Sequence, residues 1–458
     1  MLYLLLGIIF IFLIINYILA DFDYMHPGFI FSLVFLMSTV CCILGQERFA
    51  IHFHLQTVLV VGFALLTFTM VSIWMHKIKK INSNQYNNCI KIKSVHVNNW
   101  VIAVFILIQI VTLLYFVKYL QAISIAHHGQ IVSLSEMISL YDTMTKFWTE
   151  YFNSLAIPVP FIYRLGNPIT QAGGYLVLYV LINNFVANKK INILHVISVG
   201  LLCAFHLLNG SRSPLLRMLT MVVLIFYVLK SKENPKIKGN LKIALLLVIL
   251  AVIAAVAFIV LLNVMGRGES MDLGRYLFIY LGAPLVNFDN FLADFEAPTF
   301  NPVIGAQTFR AIYMYGAKLL GYSNFSYPAL DAFAFSDNGI EIGNVYTTFY
   351  EFVYDFGYIG VVPLVLVIAL YYVFTYNSFD DDRQWNTVMN YKLFIYSYLF
   401  NDLVMLFFSN RFFQTTLDAP FIKLFILSWG FKCLFIEKKI QLGRYKAIDL
   451  SFRREYLN

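Results

Sequence analysis

The sequence predicts an all-α polytopic membrane protein, and three observations support this fold class. Apolar residues make up 60% of the 458 and charged residues only 13%. Uncharged runs of about 17 to 25 residues recur along the whole chain, and an α-helix needs this length to cross a bilayer. Lysine-rich segments separate several of the runs, which gives each run a direction across the membrane.

Eleven runs are predicted to be transmembrane helices. The nine clear ones are Leu2–Ala20, Gly28–Leu44, Leu55–Met75, Trp100–Leu120, Ile191–Leu208, Leu241–Val264, Tyr358–Tyr376, Tyr391–Phe408 and Pro420–Ile436. Two weaker runs are Thr170–Val186, which contains two glycines and two asparagines, and Leu215–Leu229, which carries Arg217. Basic loops flank both, so the prediction includes them and treats residues 1–458 as a single membrane domain.

The lysine-rich loops fix the orientation, because basic residues near helix ends are retained on the cytoplasmic side. These loops are the segment Lys77–Lys93, the pair Lys189 and Lys190, the run Lys230–Lys238 and the basic tail 437–458. Eleven helices with an external N-terminus place all four inside. The first helix has no basic residue before it, which argues against a cleaved signal peptide. The expected location is the bacterial inner (cytoplasmic) membrane, with the C-terminus in the cytoplasm.

Two external loops follow from this orientation, over residues 121–169 and 265–343. The run Tyr276–Leu292 is not counted as a twelfth helix, because it holds Pro284 and several polar residues and would move the basic tail outside. A segment of roughly 80 residues is far longer than an ordinary connection and indicates a functional loop. Its glycine, proline and aromatic content predicts short helices along the membrane surface.

Arginine and lysine are distributed differently between the two sides. The predicted orientation puts 17 lysines and 4 arginines inside and 4 lysines and 8 arginines outside, which accounts for the 33 basic residues. The external arginines are Arg48, Arg164, Arg212, Arg217, Arg267, Arg275, Arg310 and Arg411. The planar guanidinium group binds phosphate or carboxylate through two hydrogen bonds. The outer side is therefore predicted to bind an anion; the alternative is that each arginine snorkels or pairs with a local carboxylate.

No pattern in the sequence predicts a metal, a cofactor or nucleic acid. The five cysteines have no zinc-ligand spacing and support no external disulfide framework. Asp380, Asp381 and Asp382 form an Asp-x-Asp pattern in a short inner loop, where a solvated turn is the better interpretation. Walker and dinucleotide-binding motifs are absent from the sequence, which argues against ATP-driven and nicotinamide chemistry.

The segment Asn344–Gly357 enters the ninth predicted helix from outside and carries candidate catalytic residues. At helical spacing Asn344, Thr348, Glu351 and Asp355 share one face, and Tyr346, Tyr350 and Tyr354 line the adjacent one. Two desolvated carboxylates one turn apart suit a general base for a hydroxyl group, and tyrosines suit sugar rings. The alternative is an interfacial aromatic belt.

Two further ionisable residues are candidates. Asp402 lies inside the tenth predicted helix, where a carboxylate is a functional candidate by default. His206 lies near the outer end of the sixth helix, just before Arg212, and the alternative for it is an ordinary satisfied polar group.

Five motifs together resemble the bacterial oligosaccharide repeat unit polymerases, the O-antigen polymerase (Wzy-type) family. They are DYMHPGFIF (23–31), NGSRSPLLR (209–217), RYLFIYLGAPLVNFDNFL (275–292), GAQTFR (305–310) and NVYTTFYEFVYDFGYIG (344–360). The resemblance spans nearly the whole chain, and the last two motifs with the Gly-Ser-Arg turn are its most specific part.

The resemblance implies a GT-C-like membrane glycosyltransferase that joins oligosaccharide repeats carried on undecaprenyl pyrophosphate at the outer face of the inner membrane. The product would be O-antigen or a capsule-type polysaccharide. Similarity to the O-antigen ligases assigns the donor pyrophosphate to Arg212, Arg275, Arg310 and Arg411, with Arg267 and Arg217 as further candidates. It implies no cofactor and no metal, and it identifies no general base, for which Asp355 or Glu351 is our hypothesis.

Two alternative functions remain. A flippase for the same lipid-linked repeats would need a cation-lined central cavity and two repeated halves, and the sequence shows neither. A ligase that transfers finished glycan would share the fold and the anion site. The expected partners are the bilayer, undecaprenyl-pyrophosphate-linked glycans and, in the same pathway, a chain-length regulator and a flippase.

Overall fold

A computed structural model describes residues 1–81, 89–243, 245–246, 249, 273–296, 304–320, 333–442 and 446–449. The chain is mostly helical in these ranges. The helices are α1 (Leu2–Leu19), α2 (Pro27–Gly45), α3 (Leu55–Ile81), α4 (Asn99–His128), α5 (Leu134–Lys146), α6 (Thr149–Ser154), α7 (Phe161–Asn188), α8 (Ile193–Leu208), α9 (Ser213–Glu233), α10 (Leu273–Leu281), α11 (Ala283–Ala293), α12 (Arg310–Leu320), α13 (Thr348–Phe356), α14 (Tyr358–Ser378), α15 (Tyr391–Val404), α16 (Arg411–Thr416) and α17 (Ala419–Phe431).

The remaining regular elements are short. A π-helical turn, Lys432–Glu437, continues α17, and two 3₁₀ turns span Pro235–Ile237 and Asp382–Trp385. The strands form two antiparallel hairpins, β1 (Ala334–Phe335) with β2 (Glu341–Gly343) and β3 (Lys439–Leu442) with β4 (Lys446–Asp449).

Within the described ranges, eight helices are long and apolar enough to cross a membrane, which confirms a polytopic, membrane-embedded protein. They correspond to eight of the predicted runs. Two other predicted runs form shorter helices, α8 with 16 residues and α15 with 14. Most of the predicted helix Leu241–Val264 lies outside the described residues. The number eleven therefore stays a prediction.

The helices α4 and α7 are longer than predicted. Their connection covers residues 129–160 instead of 121–169, because helical structure continues to His128 and resumes at Phe161. The polar residue Asn184 of α7 has specific partners in the backbone of Val95. The N–H of Val95 donates to Asn184 Oδ1 at 2.7 Å, and Asn184 Nδ2 donates to the carbonyl of Val95 at 2.8 Å. This pairing explains how a run that contains two asparagines is buried in the bundle.

The run Tyr276–Leu292 forms the two short helices α10 and α11, joined at Gly282. Its polar residues bind neighbouring elements. The fully buried Asp289 accepts hydrogen bonds from the backbone N–H of His54, at 3.0 Å, and from the Thr57 hydroxyl at the start of α3, while its other oxygen is 2.8 Å from His54 Nδ1. Asn287 donates to the carbonyl of Val345 at 2.9 Å. These contacts attach α11 to α3 and to the segment before α13.

An ion-pair network joins the segments that were predicted to be cytoplasmic. Lys238 Nζ lies 3.1 Å from Asp23 and 3.4 Å from Asp380, and Lys79 Nζ lies 2.5 Å from Asp380. Lys232 Nζ lies 2.8 Å from Asp382. The ends of α1, α3, α9 and α14 therefore meet on one side of the bundle, and the orientation of that side in the membrane stays a prediction.

The structure corrects the interpretation of the three aspartates as a solvated turn. Asp380 is 28% exposed and Asp382 27%, and both carboxylates are paired with lysine. The lysine charges hold the pKa of Asp380 well below its usual range against the opposing effect of burial. Asp381 pairs with the exposed Arg383 of its own turn. In the described ranges, no group of three or more His, Cys, Asp or Glu side chains is placed to hold a metal ion.

We expect Asp380→Asn to lower the free energy of unfolding by about 2 kcal/mol, because it leaves the partly buried Lys79 without this carboxylate and Lys238 with Asp23 as its remaining partner. Asp381→Asn, in the same turn, should change it by less than about 0.5 kcal/mol, because its partner is solvent-exposed. Thermal unfolding of the detergent-solubilised protein measures both. Equal effects of the two substitutions would contradict a central role for the network.

Candidate anion-binding site

Arg212 is positioned by a tight turn between α8 and α9. Gly210 has a φ of 68°, and a Cβ atom there would lie 2.7 Å from Cβ of Asp142, so the turn requires glycine. Pro214 starts α9 directly afterwards, with Arg212 at the N-cap position. The Asn-Gly-Ser-Arg-Ser-Pro motif therefore places a guanidinium group beside the loop 129–160.

The guanidinium of Arg212 contacts tyrosines of α10. Nη1 donates to the Tyr276 hydroxyl at 2.5 Å, and Nη2 donates to the Tyr280 hydroxyl at 2.9 Å. Its central carbon lies 5.6 Å from the ring centre of Tyr280. Both of these partners are neutral hydroxyl groups, which orient the guanidinium group but do not neutralise its charge.

Lys146, at the end of α5, belongs to the same cluster. Burial lowers the pKa of its ammonium group, and the positive charges of Arg212 and Arg411 lower it further. These effects require Lys146 to lie near each of the two arginines. The ammonium also pairs with Asp142 at 2.5 Å. Sequence reasoning missed this residue, because it concentrated on the external arginines and Lys146 is one of only a few lysines in the predicted external loops.

Arg411, the first residue of α16, is the centre of the cluster. Burial lowers the pKa of its guanidinium, and the positive charge of Arg217 lowers this pKa further. The negative charges of Asp402 and Glu351 raise it, but by less. Within the described part of the chain, this guanidinium makes no hydrogen bond or ion pair. A partly buried cation with open donors is the arrangement that binds an anion.

Arg217 and Asp402 form a buried ion pair. Nη2 of Arg217 lies 2.8 Å from Asp402 Oδ1, and its guanidinium stacks 4.4 Å from the centre of the Tyr398 ring. His206 lies nearby, with Nε2 3.3 Å from the hydroxyl of Tyr175, whose ring packs edge-on against Tyr398. Arg217 therefore fits the alternative interpretation, in which an external arginine pairs with a local carboxylate. Arg411 lacks such a partner in the described ranges.

The other predicted arginines do not all join this cluster. Arg275 Nη2 lies 3.5 Å from the carbonyl of Glu341, and Arg310 Nη2 donates to Gln307 at 2.7 Å. Arg267 lies outside the described residues. Charge effects connect Arg217 with Arg411, and they connect Lys146 with both Arg212 and Arg411. These four cations form the cluster.

The structure corrects the prediction that Asn344–Gly357 enters the ninth transmembrane helix as one helix. The helix α13 begins at Thr348, so Asn344 is not on its face, and Gly357 with a φ of 67° separates α13 from α14. The predicted row of tyrosines does form. The rings of Tyr346 and Tyr350 stack with centres 4.3 Å apart, and Tyr354 follows at 5.9 Å from Tyr350.

Both candidate acidic residues are buried and hydrogen-bonded. Glu351 accepts from Asn410 Nδ2 at 2.5 Å and from Gln414 Nε2 at 2.6 Å, which ties α13 to both sides of Arg411. Asp355 accepts from the backbone N–H groups of Gln307, at 3.3 Å, and Thr308, at 2.6 Å. Burial raises the pKa of Asp355, although the hydrogen bonds from Thr308 oppose this. Glu351 thus faces the cluster, while Asp355 holds the turn before α12.

Comparison of the chain with family models, with curated proteins and with solved structures returned no match. The possible chemistry of the site is therefore argued from its own geometry. Fixed cations can neutralise a diphosphate and stabilise the negative charge that grows on it when a bond to it breaks.

We expect Arg411→Gln to raise the free energy of unfolding by about 1 kcal/mol, because it removes a buried charge that no described residue pairs with. Arg217→Gln should lower it by about 3 kcal/mol, because it leaves Asp402 buried without its cation. Thermal unfolding distinguishes the two signs. A loss of stability in Arg411→Gln equal to that in Arg217→Gln would show that Arg411 is a structural ion-pair partner.

Proposed function

We propose that the protein polymerises undecaprenyl-pyrophosphate-linked oligosaccharide repeat units into O-antigen or a capsule-type polysaccharide at the outer face of the bacterial inner membrane. The observation that carries the proposal is the partly buried Arg411 guanidinium, which has no bonding partner in the described ranges and whose charge, like that of Arg212, acts on Lys146. The motifs given above are the reason to choose this reaction among those that use an anion site.

The reaction needs few functional groups. A hydroxyl of the acceptor sugar attacks the anomeric carbon of the donor sugar, and a new carbon–oxygen bond forms there. The bond between that carbon and the pyrophosphate breaks, and its electron pair leaves with the polyprenyl pyrophosphate. The hydroxyl proton passes to a base. Arg411, Arg212 and Lys146 stabilise the departing charge, so that no metal or nucleotide is needed.

The remaining candidates take supporting roles in this proposal. Arg275, Arg310, Arg217 and Arg267 extend the positive field around the pyrophosphate. Glu351 orients or deprotonates the acceptor hydroxyl, and its position beside Arg411 favours it over Asp355, whose oxygens accept backbone N–H groups. Asn344 and the stacked Tyr346, Tyr350 and Tyr354 contact sugars.

The architecture proposed for this activity is GT-C-like, with eleven transmembrane helices, an external N-terminus and a cytoplasmic basic tail. The arginine cluster and the lysine network involve opposite ends of α9, because Arg212 and Arg217 lie at its start and Lys232 at its end. This separation supports an enzyme with one external site over a flippase with a cation-lined path. A ligase differs only in its acceptor.

We expect cells whose only copy carries Arg411→Gln to make surface glycan with single repeats in place of a ladder, because transition-state stabilisation is lost. Arg212→Ala should act in the same direction. The control is Arg383→Gln, which alters the exposed arginine of the opposite loop. Gel electrophoresis of the glycan, with immunoblots for the inserted protein, measures the effect. Normal ladders in both cluster variants would remove the pyrophosphate-binding hypothesis.

A further inference from the structure

Several buried polar atoms at the start of α13 and in the adjoining turn have no hydrogen-bond partner. Thr347 is 1% exposed and Thr348 0%, yet the Oγ1 atom of neither makes a hydrogen bond. Thr347 occupies the N-cap position, where its hydroxyl would normally accept from the helix backbone, and it makes no such bond. In the turn before α16, Ser409 Oγ and Asn410 Oδ1 are also buried and unpartnered.

These atoms belong to elements that touch. The backbone N–H of Thr348 donates to the carbonyl of Leu406 at 3.0 Å, so the start of α13 lies against the turn 405–410. One helical turn later, Glu351 accepts from Asn410 Nδ2 at 2.5 Å. The four unpartnered atoms therefore lie on two facing segments, one of which, Ser409–Asn410, directly precedes Arg411 in the chain.

A second group of unpartnered atoms belongs to the ion pair between Arg217 and Asp402. The pair uses one nitrogen and one oxygen, while Arg217 Nη1 and Asp402 Oδ2 are buried without a hydrogen-bond partner. The charges of Arg217 and Asp402 both act on Arg411. Arg411 therefore lies near this pair and directly after the turn Ser409–Asn410.

Buried polar groups almost always have hydrogen-bond partners, because leaving one unpaired costs the full free energy of its desolvation. A native chain retains a concentration of such groups when something else binds them. Alternating hydroxyl, amide and charged atoms suit a ligand that both donates and accepts many hydrogen bonds, as a sugar ring does. Apolar ligands would gain nothing from this lining.

We infer that the segment Thr347–Thr348, the turn Ser409–Asn410 and the Arg217–Asp402 pair form a sugar-binding subsite next to Arg411. The sugar that it takes is the one joined directly to the diphosphate of the lipid-linked donor. This inference rests on the proposed function and names the substrate group that the site would hold. It gives Asp402 and Arg217 a role in binding hydroxyl groups, in addition to their ion pair.

The test removes single hydroxyl groups. Thr347→Val, Thr348→Val and Ser409→Ala are each assayed as the full-length protein in lipid nanodiscs with a purified lipid-linked repeat unit. We expect each variant to lose about tenfold in kcat/KM for chain joining, the value of one lost hydrogen bond to substrate. Thermal stability without substrate should stay equal or rise, because an unsatisfied buried hydroxyl is replaced by an apolar group.

Two controls make the result specific. Ser198→Ala removes an equally buried and unpartnered hydroxyl of α8, whose backbone carbonyl accepts from Gln109 of α4, and it should leave activity unchanged. Thr348→Ser keeps the hydroxyl and should retain activity. Wild-type rates in all three hydroxyl variants, with their stability retained, would overturn the subsite, and the atoms would then bind only water. If the wild-type protein joins no repeats, the proposed function itself fails.

Discussion

One constraint organises the site: the guanidinium group of Arg411 is partly buried, yet no carboxylate among the described residues bonds it. Desolvating a charge is costly, and folded chains normally compensate by pairing it. At Arg411 the nearest acids are occupied elsewhere, since Asp402 bonds Arg217 and Glu351 bonds Asn410 and Gln414. Their negative charges still attract the Arg411 cation, and we propose that its open donors bind the anion of the substrate.

The contrast between the two ends of α9 supports this view. At the end of α9 that carries Lys232, the lysines Lys79, Lys232 and Lys238 are each within 3.4 Å of a carboxylate, so the lysine-rich segments join helix ends into a stable assembly. At the start of α9, Arg212 contacts tyrosine hydroxyls, while Arg411 of α16 has no ion pair in the described residues. Paired charge stabilises the fold at one end of α9, and we propose that the charge of Arg411 contributes to anion binding.

Hydropathy and basic loops were sufficient to predict a polytopic helical membrane protein, because both depend on local composition. They could not predict that α13 is a separate helix, because its end depends on a left-handed Gly357 inside a continuous apolar pattern. They also could not predict that Asp380 forms ion pairs with lysines, because those lysines come from α3 and from the segment after α9. At the site, the excess of external arginine indicated Arg212 and Arg411. Lys146 and the unpartnered threonines required knowledge of contacts between distant segments.

We propose that Arg411 binds a diphosphate. The most direct test of this proposal is the effect of inorganic pyrophosphate on the unfolding of the purified protein. Ligand that binds only the folded state raises the unfolding temperature with concentration. We expect such a rise for the wild-type protein and for Arg383→Gln, and none for Arg411→Gln, at concentrations where matched ionic strength from chloride has no effect. An equal rise in Arg411→Gln, or no rise in the wild type, would contradict the account.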